Sequence, residues 1–87
     1  MIDVLVPLRV EYDPDADAAY IYLQREIAAG EAVSTVIAID ETESTSMVNL
    51  DLDTSERLLG VDVLDASTRL PVELLRALGA THGASAT

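Results

Sequence analysis

Tyr12–Leu23 reads YDPDADAAYIYL, and its two halves decide the fold. The first half sets Asp13, Asp15 and Asp17 around Pro14. Proline fixes φ and aspartate side chains accept bonds from nearby backbone N–H groups, so Asp13–Asp17 is expected as a tight turn. The second half, within Ala18–Gln24 (AAYIYLQ), alternates: Ala19, Ile21 and Leu23 fall on one side, Tyr20 and Tyr22 on the other. Period two with an aromatic and β-branched centre predicts a strand. Helix competes over Asp17–Ala29, which is rich in helix formers, but the Tyr-Ile-Tyr centre favours the strand. Upstream, Leu8–Tyr12 (LRVEY) places Leu8, Val10 and Tyr12 opposite Arg9 and Glu11. Strand, turn and strand together predict an antiparallel hairpin.

Working outward, Met1–Pro7 is an apolar lead-in that either pairs as a short strand or stays loose, with Pro7 marking an edge or a break. Arg25–Glu31 reads as a connection, and Ala32–Ile39 (AVSTVIAI) as a β-branched third strand. Asp40–Ser46 is a polar turn. Met47–Asp53 (MVNLDLD) points Val48, Leu50 and Leu52 inward and Asn49, Asp51 and Asp53 outward. Thr54–Arg57 turns the chain into Leu58–Leu64, whose Leu59, Val61 and Val63 share a face. Gly60 leaves a gap on the opposite face, suited to a bulge or a close backbone approach. Pro71, Glu73 and Gly79 delimit a short helix with Val72, Leu74, Leu75 and Leu78 as its apolar stripe. Residues 80–87 read as a disordered tail. The expected fold is α+β: an antiparallel β-meander of four to five strands with one short C-terminal helix packed on one face. Residues 8–79 form a single domain.

Composition narrows the function. The 87 residues carry sixteen acidic groups against five arginines, a net charge of −11. Neutralising phosphates takes clustered Lys or Arg, so nucleic acid and anionic membranes are not expected partners. No stretch nears the roughly 18 apolar residues of a membrane span, and the acidic N-terminus predicts a cytoplasmic protein. With no cysteine, Phe or Trp, thiol chemistry and Cys-based zinc are excluded and the core must be aliphatic. A chain of this size buries only roughly 60% of its unfolded surface or slightly more.

The runs VEYDPDADAAYIYL, VNLDLD and LLGVDVLDASTRLPVELL resemble the small bacterial and archaeal domain DUF2283, also described as YuzE-like. Its members share a YDPEADALYI-type opening, a (V/L)DxDxDG turn and a (L/V)VGIEILDAS close. The likeness spans Leu8 to Leu78. It implies a small α+β domain with an antiparallel sheet and no established catalysis. Some members lie beside small toxin-like proteins, which fits an antitoxin-like role. The chain departs from the pattern at Asp53-Thr54-Ser55-Glu56, where the glycine is missing and a turn that is looser or of another type is expected.

Asp13-x-Asp15-x-Asp17 opens like a calcium loop, but its glycine position is Ala18 and its bidentate glutamate position Gln24. Asp51-x-Asp53-x-Ser55 fails likewise, with Glu56 at the glycine position. Asp13, Asp17, Asp62 or Asp65 could serve acid/base chemistry only if they converged in a pocket. Asp65-Ala66-Ser67 ahead of the helix reads better as a turn or cap. His82, the sole histidine, lies in the tail and supports neither a triad nor a metal site. No catalytic, metal or cofactor-binding residue is therefore expected. One short helix cannot cover five strands, so Tyr20, Tyr22, Val36 and Ala38 are the candidate interface, expected to be covered in a homodimer. The reading is a non-enzymatic interaction module that also binds a small basic protein. The alternative is a small-ligand or divalent-cation domain using the acidic patch Asp13, Asp15, Asp17 and Asp65.

Overall fold

The expected hairpin forms β1 (Arg9–Asp13) and β2 (Ala18–Tyr22), antiparallel with Tyr12 opposite Ala19 and Val10 opposite Ile21. The computed structural model describes residues 1–40 and 47–79, apart from the side chains of Ile39 and Asp40. The expected tail 80–87, His82 within it, and residues 41–46 of the expected acidic turn lie outside the described residues. β3 (Ser34–Asp40), β4 (Met47–Leu52) and β5 (Leu58–Leu64) complete one sheet, followed by α1 (Ala66–Arg69) and α2 (Val72–Leu78). Residues 17–29 contain no helix. β2 pairs on both sides, which buries Ala19 and half-buries Ile21, a use of the period-two pattern that a helix could not make.

The sheet order is β1-β2-β5-β4-β3, all antiparallel. β3 to β5 form a meander, but the whole sheet does not: β2 pairs with β5 instead of β3. β5 carries Leu59 and Val63, both buried, and gains a ladder on each edge in the middle of the sheet. Residues 23–33 therefore cross three strand spacings, about 14 Å, along one end of the sheet. That connection is tied at both ends, Leu23 N–H to Leu59 O (2.9 Å) and Val33 N–H to Leu52 O (2.9 Å). Glu31 holds its middle, accepting from Gln24 Nε2 (2.8 Å) and the Ala28 N–H (2.9 Å).

Direct opposition across the ladders fixes two faces. Val10, Tyr12, Ala19, Ile21, Val48, Leu50, Val61 and Val63 lie on one, where Ala66 and Leu70 pack against Ala19 and Val63. Among the described residues the buried apolar set is small: Ala19, Leu59, Val63, Ala66 and Leu75. In α2, Leu75 is buried and Leu74 and Leu78 half-buried, while Val72, expected in the stripe, is exposed. α1 falls where only a turn or cap was expected. Gly79 ends α2 in the left-handed region (φ 75°), as its position implied. Met1–Leu8 forms no strand and is exposed throughout.

Candidate functional site

The acidic turn is a structural clasp. Asp13 Oδ1 accepts the Asp15 N–H (3.0 Å) and the Ala16 N–H (3.4 Å), an Asx turn. Asp17, in the left-handed region at φ 51°, turns its carboxylate toward α1. Its Oδ1 accepts Tyr12 OH (2.9 Å) and the Ser67 N–H (3.0 Å), and its Oδ2 accepts Ser67 Oγ (2.7 Å). The Ala66 N–H donates to the Asp17 carbonyl at 2.9 Å. Asp17 thus caps α1 from fifty residues away in sequence. The Ser67 hydroxyl, with Tyr12 and the Ser67 N–H behind it, holds the carboxyl below its ordinary range. Asp65, expected to cap, sits at φ 59° and makes no side-chain cap bond; Ser67 is a donor to Asp17.

The four residues of the acidic patch do not all converge: of the other three, Asp65 alone is a side-chain partner of the Asp17 carboxyl. Asp13 and Asp15 are exposed in the turn, Asp17 is committed to α1, and Asp65 holds the strand-to-helix corner, its carbonyl accepting Thr68 N–H and Oγ1. Among the described residues no group of three or more His, Cys, Asp or Glu could hold a metal ion. Asp53 repeats the Asx chemistry at the second turn, accepting the N–H groups of Ser55 (2.8 Å) and Arg57 (3.0 Å). Those bonds hold its carboxyl below the usual range. Glu56 occupies the left-handed position (φ 62°) that the family pattern gives to glycine. Of the two forms expected, looser or of another type, the turn is not the looser one: Asp53 closes it from both sides, Glu56 N–H to Asp53 O (2.9 Å) and Asp53 N–H to Arg57 O (3.0 Å).

The second face of the sheet is where the tyrosines stand. Register sets two rows across it: Glu11–Tyr20–Asp62–Asn49–Ile37, and Arg9–Tyr22–Gly60–Asp51–Thr35. Tyr20 lies over Gly60, whose absent side chain makes room. A Cβ there would stand 2.5 Å from Tyr20 Cε2 and 2.6 Å from Cζ. The ring thereby reaches across β5, and Tyr20 OH donates to Asp51 Oδ2 at 2.7 Å while Thr35 Oγ1 donates to Oδ1 at 2.8 Å. Burial, with Asp51 beside it, pushes the Tyr20 phenol well above its ordinary value. Tyr22 meets Tyr20 edge-on at 4.8 Å between ring centroids, donates to Glu11 Oε1 at 2.6 Å, and carries the Arg9 guanidinium 3.8 Å above its ring. Tyr20, Tyr22 and Asp51, with Ile27 and Ala32 of the connection, border an open hollow of about 230 Å3. Asn49 Oδ1, in the other row, is buried with no hydrogen-bond donor.

Of the four candidate interface residues, only Tyr20 and Tyr22 share this face. Val36 is opposite Leu50 and so belongs to the helix side; Ala38 falls at the register shift between Ile37 and Ile39. Thr35 and Ile37 take their place. Alternation within β3 cannot reveal which half faces the tyrosines, since its register with β4 decides that. Sequence reasoning also missed Asp51, Asn49, Arg9 and Glu11 as neighbours of the tyrosines. Their outward positions were legible, but their convergence depends on β5 standing between β2 and β4.

Comparison with curated proteins returns no match, nor does comparison with solved structures. The family model described as "Protein of unknown function (DUF2283)" matches residues 9–67, the span that holds all five strands, the Asp17 clasp and the tyrosine face. The chain belongs to the DUF2283 family.

Proposed function

We propose that the domain is a non-enzymatic protein-interaction module whose tyrosine face takes a small basic protein, in an antitoxin-like way. The observation that carries this is the makeup of that face. Tyr20 and Tyr22 supply amphipathic area of the kind enriched in interfaces. Around them stand Glu11, Asp51 and Asp62 against one cation, Arg9. In a chain of net charge −11, such a surface attracts a cationic partner and repels acidic ones. Two of the carboxylates on this face have structural duties, Asp51 accepting from Tyr20 and Thr35 and Glu11 from Tyr22, which favours recognition over acid/base work. A cation-binding role for the acidic turn has less support, because the bonds of Asp17 point it away from Asp13 and Asp15 and into the fold.

The test is affinity capture from the native cell with the wild-type chain and with Tyr22→Ser plus Asp62→Asn. The expected result is retention of a basic protein that salt displaces and that the variant fails to hold. Equal capture by both chains, or capture of acidic partners only, overturns the proposal.

A further inference from the structure

We infer that two copies of the chain pair antiparallel through the free edge of β3, independently of the tyrosine face. The sheet has two edges, β1 and β3. β1 alternates Arg9, Glu11 and Asp13, the charged pattern that keeps an edge from pairing. β3 carries a single acidic residue, Asp40 at its end, and none before it. From Ala32 to Ile39 no charged side chain occurs, although the chain as a whole stands at −11. Two acidic copies approach at least cost where charge is absent, and this edge is such a place. Self-association through the tyrosine face would instead bring together Glu11, Asp51 and Asp62 of both copies.

Exposure supports the same surface. Val33 is 54% exposed, Val36 48% and Ile37 53%, and Val36 and Ile37 belong to opposite faces of the sheet. Apolar area on both sides of an edge strand is what a continued sheet would cover. The register shift at Ala38 bends the strand, so the straight pairing segment is Val33–Ile37. A two-fold axis at Thr35 sets Thr35 against its own copy, Ser34 against Val36, and Val33 against Ile37, each apolar side chain on the same face as its opposite. Five residues of edge pairing make a small interface, so the dimer forms at micromolar concentrations rather than nanomolar ones.

Sedimentation equilibrium from micromolar to millimolar chain tests this, with wild type, Ile37→Glu and Tyr22→Ser. Expected are a wild-type dimer, a dissociation constant raised about tenfold or more by Ile37→Glu through charge at the pairing edge, and an unchanged dimer in Tyr22→Ser. Amide hydrogen exchange on the wild type guards against misfolding of the variant: protection in Val33–Ile37 should rise with concentration and that in β1 should not. A wild-type monomer at millimolar concentration, a dimer lost with Tyr22→Ser but kept with Ile37→Glu, or concentration-independent exchange in β3 overturns the inference. Tyr22→Ser leaves the β3 edge unchanged and pairing is read on the chain alone with no partner present, so failure of one proposal is separable from failure of the other.

Discussion

Asp17 joins the first hairpin to α1 through two side-chain bonds and one backbone bond, and its carboxylate also accepts Tyr12 OH within the hairpin. Replacing it with Ala removes the cap and leaves Ser67 N–H and Tyr12 OH without their acceptor. The expected cost is about 2 kcal/mol, a Tm drop of about 10 °C in a domain this size, read by thermal circular dichroism. Its carboxyl titrates below the ordinary 3.8 in the fold, so its contribution is present above that pH and lost as pH falls through the lower folded value. The difference in stability between wild type and Asp17→Asn should therefore shrink below pH 3.8; a constant difference down to full protonation would refute the assignment. Glu56 carries the opposite message. A β-carbon at φ 62° is strained, and glycine removes that strain at a smaller entropic cost. Glu56→Gly should stabilise by about 0.5–1 kcal/mol, the net of those two effects. Gly60→Ala should do the reverse, costing about 2 kcal/mol by overpacking against Tyr20. Combined with Tyr20→Ala it should cost less than the two single changes summed, in a double-mutant cycle.

At the scale of elements, β1, β2, β4 and β5 were legible because their inward and outward residues differ in kind, as in Val48-Asn49-Leu50-Asp51-Leu52, and β3 by its β-branched run. The Asx turns were legible too, since their bonds run between residues two to four apart. The one-turn helix α1 was not. Four residues with no apolar period are helical only because Asp17, from another element, satisfies their first N–H groups. The same holds for Val36: its own strand shows two equivalent faces, and only the ladder to Leu50 selects one. Met1–Leu8 is expected to add nothing to the fold. Deleting residues 1–6, all exposed, should change Tm by less than about 2 °C, since surface groups away from caps and cores rarely exceed ±0.5 kcal/mol.

The whole molecule balances a small core against a large charge. Among the described residues five buried apolar ones stand behind a net charge of −11, and the like charges repel most in the folded state. Added salt should therefore raise Tm at neutral pH, with most of the gain by about 0.1 M, where the Debye length is near 10 Å. A Tm that falls with sodium chloride would show that attractive pairs, such as Arg9 with its neighbours, outweigh the repulsion. By itself the sequence determined what is local and periodic: strand spans, turn chemistry, the inward residues of β2, β4 and β5, the gap at Gly60, and the family. Tertiary structure alone decided the rest, because it depends on which strands become neighbours. The insertion of β5 beside β2 lets Tyr20 cross Gly60 to Asp51, and the close of β5 brings Ser67 under Asp17. Partners thirty-one and fifty residues apart leave no spacing to read. Their meeting is set by burial of β5 in the middle of the sheet, a property of the assembled core and of no single stretch of chain.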